Sequence, residues 1–537
     1  MFNFPIHSTD ELQRNRRRYE RLLALAHWHA ARSRYDLAVA WSVLAADHAW
    51  HNHPGFFVDE RLEQVLARIG TSLSPVWPSQ TRDGKDWPHR VLHVLTEAYA
   101  TGGHTRLVWR WIEADRARHH GVVLTRQREW VDVPQPLVSA PRLNGGSVRA
   151  LDWCRDPPVA LARQLRCLAA DFDLVVVHAH PFDAVPVIAF ANAGSPPVIL
   201  LNHAGFSFWI GRYIADVVAC LRPSSREIAI HRRGIEPDRC PPLAIPVSEP
   251  EKSPTRSQAR AKLGLSNDAI VLFTVASPFK YLAFEAGRSF VELITSVAQA
   301  HEQVQVLAIG PEDEGSWLQA RQQTGGRVRA LGWHPDASLH ERAADLYLDP
   351  FPVTSPTSFL EAASYGLPIV SFCPHRKRAA VLCADDFLLD DLIVRADNAE
   401  VFSAEMTRLI KDAAARDALG RATATAVMMG HGPEAFARQL TEIYSRAASI
   451  HQTRVSMRAG DLGRVGTLDN SLVQMQQGAN LSRSLRDLTE EHLDVFPRDP
   501  RKWFRLNAGI GFCLAFVRAV ANAPRRESSG RVLWHAP

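Results

Sequence analysis

Lysine and cysteine are scarce in this chain of 537 residues. Lysine and arginine number 62 together, but only seven are lysine, and 57 acidic residues leave a formal charge of +5. That charge is too small for this length to indicate a nucleic-acid-binding protein. The seven cysteines form no CxxC pair, which excludes a disulfide scaffold and is typical of reduced thiols in a cytosol-like compartment.

Long apolar runs and several common catalytic motifs are also missing. No stretch of 18 uncharged apolar residues occurs, and the N-terminus lacks the apolar segment of a signal peptide, so we expect a cytoplasmic protein without a transmembrane segment. The motifs GxSxG, HExxH, GxxxxGK[ST] and GxGxxG are absent. The apolar content of 46% is that of an ordinary globular protein, and the length predicts about three to four domains.

The sequence pattern divides the chain into four regions. Uniform apolar runs such as 174–180 and 304–310 are typical of parallel strands covered on both faces. They predict an α/β protein with two doubly wound sheets that face a cleft, since ligands bind at the carboxyl ends of such strands. The predicted regions are a helical N-terminal region (1–85), two α/β domains (86–247 and 259–450), and a linker with a helical C-terminal extension (451–537), in which 451–482 is the linker.

The helical N-terminal region has two interpretations. Its first two helices resemble one tetratricopeptide unit, but no second copy follows at a fixed period. We therefore expect a helical cap packed on the next domain.

The segment 345–372 carries the most chemical information. A strand is followed by a short loop, and Ser355, Thr357 and Ser358 then begin a helix. Hydroxyl groups beside the free amides of a helix N-terminus can hold a diphosphate, and Glu361 on the same helix face can accept hydrogen bonds from a ribose diol. The alternative is an ordinary N-cap with a capping-box-like glutamate.

The sequence DPFPVTSPTSFLEAASYGLPIVSF within this segment resembles the donor-binding segment of GT-B nucleotide-sugar glycosyltransferases. The closer resemblance is to the O-GlcNAc-transferase-like group, and a more distant one is to the GT4 group. It implies that Thr357 and Ser358 hold the diphosphate and that Glu361 holds the ribose. The GT4 group carries two glutamates eight positions apart, and the first of these positions is Val353 here, which argues against a GT4-type retaining mechanism.

Further segments follow the same family. The stretch LFTVASPFKYLAF (272–284) resembles its strand-loop-lysine element, which implies that Lys280 reaches the donor phosphates. Gly310 and Gly332 would allow close backbone approach, and His334 would border the base. The alternatives are a solvated loop lysine and a histidine that bonds within its own loop.

The first α/β domain contributes a Gly-Gly-His loop between a strand and a helix. Gly102 and Gly103 allow close approach to a ligand, and the helix start favours anions. In GT-B enzymes this loop faces the donor sugar, so the resemblance implies that His104 is a general base or contacts the sugar. The alternative is a helix-capping histidine.

The loop LNHAGFSFWIG gives a second candidate base, His203, followed by aromatic side chains at 206–209. These rings could stack on sugars or pack in the core. His178 and His180 end a strand near Asp183 and could hold a metal. GT-B transferases generally need none, so we expect cleft-lining histidines and no metal.

These observations predict a GT-B glycosyltransferase in which two Rossmann-like domains, an acceptor domain and a nucleotide-sugar-binding domain, face a cleft. It would move a hexosyl or N-acetylhexosaminyl group from a UDP-sugar to a glycan, lipid-linked or protein acceptor, without a cofactor and with inversion if the O-GlcNAc-transferase likeness holds. Peripheral membrane contact stays open, and no nucleic-acid partner is expected. The alternatives are a non-catalytic scaffold and a sugar epimerase or phosphorylase of the same fold.

Overall fold

The computed structural model describes residues 8–74, 87–100, 102–192, 194–281, 289–452, 465–479 and 481–496. Its twelve named strands, all paired in parallel, form two six-stranded sheets. In chain order the strands are β1 Arg90–Leu95, β2 His119–Leu124, β3 Val148–Ala150, β4 Leu174–Val177, β5 Val198–Asn202, β6 Val217–Cys220, β7 Ile270–Val275, β8 Val304–Ile309, β9 Val328–Ala330, β10 Leu346–Leu348, β11 Ile369–Phe372 and β12 Val394–Ala396.

The two sheets share one topology, with strand orders β3-β2-β1-β4-β5-β6 and β12-β11-β10-β7-β8-β9. Each order reverses at a switch point, between β1 and β4 in the first sheet and between β7 and β10 in the second. The run LVVV of β4 is buried along its whole length because helices cover both faces. The predicted α/β class with two doubly wound domains is confirmed.

The helices complete both domains and extend the fold at its two ends. In chain order they are α1 Ser8–Ala30, α2 Tyr35–His51, α3 Glu60–Thr71, α4 Gly103–Ala114, α5 Gln135–Arg142, α6 Pro158–Ala169, α7 Ala184–Phe190, α8 Pro223–His231, α9 Arg256–Lys262, α10 Phe290–Ala300, α11 Gly315–Gln323, α12 Ser338–Ala343, α13 Pro356–Ser364, α14 Arg376–Ala379, α15 Ala399–Lys411, α16 Ala413–His431, α17 Pro433–Gln452, α18 Thr467–Gly478 and α19 Leu485–Glu491. Within the described ranges, none of them combines the length and apolarity that a bilayer crossing requires.

The N-terminal helices cap the first domain. Gly70 of α3 lies so close to α7 that a Cβ atom there would be 2.5 Å from the Ile188 carbonyl oxygen. The buried guanidinium of Arg166 on α6 joins the two helices, since it donates to five carbonyl oxygens, those of Gly70, Leu73, Ser74, Ile188 and Ala189. The helices therefore share one core with the first domain.

Part of the predicted linker 451–482 is a helix instead, because α18 spans Thr467–Gly478. Three of its polar residues, Asp469, Ser471 and Gln476, are buried, and Asp469 accepts hydrogen bonds from His53 Nε2 at 2.8 Å and from Arg232 at 2.8 Å. Because these polar side chains share the buried side of the helix with apolar ones, the apolar pattern of the sequence is weak. The stretches 453–464 and 497–537 of the predicted extension lie outside the described residues.

Helix α17 follows the second domain in sequence but packs on the first. Trp111 Nε1 of α4 donates to the Tyr444 hydroxyl at 2.7 Å, which donates to Asp115 Oδ2 at 2.8 Å. The two connections between the domains run side by side, since the Val247 amide donates to the His431 carbonyl at 2.8 Å. The domains are thus held together next to the cleft.

Candidate active site

The switch points of the two sheets place the predicted site segments opposite each other. The loop after β1 contains Gly103, and the loop after β7 contains Lys280. The loop after β10 leads into α13. Ligands of doubly wound sheets bind outside the carboxyl ends of the strands at such points.

The N-terminus of α13 carries no side-chain cap. Ser355 is its N-cap residue, yet the Ser355 hydroxyl bonds the Ser358 hydroxyl at 3.0 Å instead of a backbone amide. This geometry differs from the capping-box alternative, in which the side chains would satisfy the first amides. The first turn therefore offers hydroxyl groups and a positive dipole end, while the Asp349 carboxylate accepts the amide of the N-cap residue Ser355.

Lys280 lies beside this turn and is half-buried. Its Nζ donates to the Thr354 carbonyl oxygen at 2.9 Å. Burial lowers the pKa of Lys280 to about 8, against the opposing charge of Asp349. Burial also raises the pKa of Asp349 to about 6, although that carboxylate accepts the Ser355 amide at 3.1 Å. The lysine is charged at neutral pH but is poorly solvated, so an anion would stabilise it.

Glu361 connects the two domains. Arg106 Nη1 of α4 donates to its two carboxylate oxygens at 2.8 and 2.9 Å, and Arg110 Nη1 donates to Oε1 at 2.8 Å. Arg106 and Arg110 are four positions apart and so share one face of α4. The sequence analysis missed both. An arginine pair at this spacing just after the Gly-Gly-His loop was the available signal.

The Gly-Gly-His loop lies directly against α13. Gly103 contacts Thr357 so closely that a Cβ atom on Gly103 would overlap the threonine hydroxyl and lie 2.9 Å from its Cβ. Gly102 has φ +90°, a conformation that favours glycine. The predicted acceptor-side and donor-side segments are thus in van der Waals contact.

Two histidines stand next to this contact. His104 Nε2 lies 2.6 Å from the His178 carbonyl oxygen, and burial lowers the pKa of His104 to about 4. His203 Nδ1 lies 3.2 Å from the Leu201 carbonyl oxygen. The two rings have centroids 4.5 Å apart, and burial lowers the pKa of His203 well below its usual value.

The possible metal ligands do not converge. His178 Nε2 bonds His93 Nδ1 at 3.0 Å, and His180 Nε2 bonds the Tyr99 hydroxyl at 3.1 Å. Asp183 instead accepts the hydroxyl groups of two threonines and caps α7. In the described part of the chain, no group of three or more histidine, cysteine or acidic side chains could hold a metal ion.

The glycines of the second domain serve backbone packing at the strand ends. Gly310 has φ +112°, its amide donates to the Gly332 carbonyl at 2.8 Å, and a Cβ there would overlap the Ala276 carbonyl oxygen. His334 is half-buried, with its ring centroid 5.3 Å from that of His340. These contacts position the loops after β7, β8 and β9.

The aromatic side chains after β5 are mostly core residues. Phe208 and Trp209 are 0% and 3% exposed, and only Phe206 is partly exposed. Both buried rings are therefore unavailable for sugar stacking, which favours the packing alternative.

The comparisons with known proteins agree with this architecture. Residues 272–412 match the family of glycosyl transferases group 1. No curated protein sequence matches the chain. A glycosyltransferase from Rickettsia africae superposes with a TM-score of 0.51 at 9% identity over 67% of this chain and 99% of that one.

Two further solved structures are similar. Anabaena HepE in complex with UDP has a TM-score of 0.50, 14% identity, and coverage of 66% of this chain and 99% of that one. A mutant of the Thermobaculum terrenum O-GlcNAc transferase has a TM-score of 0.47, 15% identity, and coverage of 81% and 85%. With its two parallel Rossmann-like sheets and their switch points, the chain has the GT-B fold, and residues 272–412 form a glycosyl transferases group 1 domain.

Proposed function

We propose that the enzyme transfers a sugar from a UDP-sugar whose diphosphate binds at the N-terminus of α13. The uncapped first turn of α13 beside Lys280, in contact with the Gly-Gly-His loop, is the observation that carries this proposal. The similarity of the fold to HepE, solved with UDP, supports the choice of nucleotide.

Lys280, Thr357 and Ser358 would stabilise the departing diphosphate. An ammonium group has three donors, so Lys280 can keep its bond to Thr354 and still donate to a phosphate oxygen. Burial takes hydration away from the Lys280 ammonium group. The negative charge that develops on the leaving group would stabilise the ammonium group in place of that water.

Glu361 would accept hydrogen bonds from the ribose hydroxyls once these replace some of its hydrogen bonds to Arg106. Arg106 occupies both of its carboxylate oxygens in the structure, so part of that pair must open for a diol to bind.

His104 is the better placed base of the two histidines. A carbonyl oxygen only accepts, so the bond to His178 puts the proton of neutral His104 on Nε2 and leaves Nδ1 as an acceptor. His104 also follows Gly103 directly, and Gly103 contacts the donor-binding turn. We propose that His104 takes the proton of the acceptor hydroxyl and that His203 helps to position the acceptor.

A single displacement of this kind would invert the anomeric carbon. The acceptor would be a glycan, a lipid-linked sugar or a protein, and the reaction would take place in the cytoplasm with the nucleotide sugar as co-substrate and no cofactor. Proton couplings of the product, measured by NMR, identify the anomer, and a retained configuration would overturn the inverting mechanism.

Calorimetric titration with UDP tests the donor site. We expect UDP to bind and to raise the melting temperature, and we expect K280A and E361A to weaken binding about tenfold or more, because each removes a charge-assisted hydrogen bond. K411A, at the exposed end of α15, is the matched control and should bind as the wild type does. Absence of binding to UDP, GDP or ADP at millimolar concentration would contradict the proposal.

A further inference from the structure

A chain of buried histidines runs beneath α4, and the proposed transfer mechanism does not use it. His120 Nδ1 of β2 lies 3.0 Å from His93 Nε2 of β1. His93 Nδ1 in turn lies 3.0 Å from Nε2 of His178, which follows β4. All three side chains are fully buried. The chain crosses three adjacent strands of the first sheet and ends below His104.

The hydrogen bonds fix the direction in which this chain donates. His120 Nε2 lies 2.9 Å from the Asp115 carbonyl oxygen, which can only accept, so Nε2 carries the proton. In neutral rings, His120 Nδ1 then accepts from His93 Nε2, and His93 Nδ1 accepts from His178 Nε2. Burial lowers the pKa values of His93 and His178 well below their usual range, which favours neutral rings.

This order leaves His178 Nδ1 as a bare acceptor. The atom is buried and has no hydrogen-bond partner among the residues that the structure describes. A buried polar atom without a partner is costly, and a catalytic role or a bound water is among the reasons why native proteins keep one. The His178 ring centroid lies 6.4 Å from that of His104, a gap that one water molecule can bridge.

The two ends of the chain differ in electrostatic environment. A positive charge on His178 would face His104 and His203, both of which disfavour it. A positive charge on His120 would lie 3.5 Å from the Asp115 carboxylate, at the C-terminal end of α4. The Asp115 carboxylate therefore favours movement of a proton away from the cleft.

We propose that His178, His93 and His120 form a proton relay that takes the proton of the acceptor hydroxyl from the cleft to His120, beside Asp115. The inference rests on the proposed function. The acceptor oxygen forms the new bond to the anomeric carbon, the bond to the diphosphate oxygen breaks, and the hydroxyl proton passes through His104 to His178 Nδ1.

The remaining steps conserve every proton. His178 passes its Nε2 proton to His93 Nδ1, and His93 passes its own Nε2 proton to His120 Nδ1. His178 and His93 end neutral in the opposite tautomer, and His120 ends as an imidazolium beside Asp115. Burial pushes the pKa of Asp115 upward, but the bond from His120 and the Arg118 cation hold it below its usual value, so it stays ionised and stabilises this charge. After the product leaves, the same transfers in reverse return the proton from His120 to water in the cleft, which restores the starting tautomers of all three rings.

H93Q tests the relay, because a glutamine side chain can donate one hydrogen bond and accept another but cannot exchange protons between them. H119Q is the matched control, since His119 is the neighbouring histidine of β2 and bonds the Asn144 carbonyl outside the chain. H120Q is a second relay variant if H93Q fails to fold. The assay follows UDP release from UDP-glucose and UDP-N-acetylglucosamine with water as the acceptor, because water must also lose a proton.

The relay predicts that kcat of H93Q falls on the order of tenfold to a hundredfold, while UDP affinity and melting temperature stay near wild type. It also predicts that rising concentrations of imidazole buffer restore kcat in H93Q and leave wild type and H119Q unchanged. An unchanged kcat in H93Q, or a loss that no buffer restores, would overturn the relay and leave a structural hydrogen-bond chain. A wild-type protein that binds UDP yet releases none from either sugar would instead contradict the proposed function.

Discussion

Gly103 and Thr357 belong to different domains, yet a Cβ atom on the glycine would lie 2.9 Å from the Cβ of the threonine. The backbone at Gly103 has no positive φ that would require glycine, so the contact alone explains the residue. A side chain here would hold the acceptor loop away from the donor-binding turn.

We therefore expect G103A to lower turnover about tenfold or more, because a displacement near 1 Å misaligns the reacting groups. UDP affinity should fall as well, because the added Cβ atom would displace the hydroxyl of Thr357, a proposed diphosphate ligand. Parallel measurement of kcat and of the UDP dissociation constant checks this. Full turnover in G103A would show that the contact is not needed.

The ion pair between Glu361 and Arg106 predicts that removing the glutamate and removing the arginine affect UDP affinity differently. E361A should weaken UDP binding about tenfold, since it removes the proposed ribose acceptor. R106A should leave UDP affinity unchanged or raise it, because it frees Oε2 of the carboxylate while Arg110 stays on Oε1. Calorimetry on both variants measures the difference. Equal losses in the two would indicate that Glu361 acts only as a connection between domains.

The pH profile of kcat/KM should have an acidic and an alkaline limb. His104 must be neutral to act as a base, and its pKa of about 4 predicts that kcat/KM rises with pH through about 4. Lys280 must be charged to bind phosphate, and its pKa of about 8 predicts a fall through about 8.

K280R checks the assignment of the alkaline limb, because an arginine stays charged over the whole range. The variant should retain donor binding and lose the fall near pH 8. A fall that persists in K280R would assign the alkaline limb to another group.

Arg166 predicts a large effect on stability. Its truncation to alanine removes five hydrogen bonds and leaves buried carbonyl oxygens without partners, so we expect the free energy of unfolding to fall by about 3–5 kcal/mol. R163A, on the exposed face of the same helix, is the control and should stay within about 0.5 kcal/mol. Chemical denaturation of both variants measures the difference, and equal values would contradict the role of Arg166.

The sequence pattern predicted the strands whose side chains are buried along all or nearly all of their length. The runs that became β4 and β8 are buried on both faces and are apolar throughout, so their pattern predicted them. Strands β3 and β12 were missed, and in each of these three-residue strands most side chains are exposed or half-buried. Helix α18 was missed because Asp469 and Gln476 occupy buried positions.

The candidate site was accessible only where a local segment carries it. The donor turn at 355–361 is continuous in sequence, so its chemistry could be read directly. Arg106 meets Glu361 across 255 positions, and the contact depends on how the domains pack, which no local pattern records. The histidine chain also depends on the register of three strands, with His93 opposite Val122 and Val176.

The return of α17 to the first domain has a consequence for engineering. The chain leaves the first domain at Val247 and rejoins it next to His431, where the Val247 amide bonds the His431 carbonyl oxygen. Residues 248–431 are therefore an insertion with adjacent ends, and the first domain with α17 is the host. An exchange of donor specificity between relatives should transplant this insertion as a cassette, because a graft that also took α17 would remove Tyr444 from its partners Trp111 and Asp115.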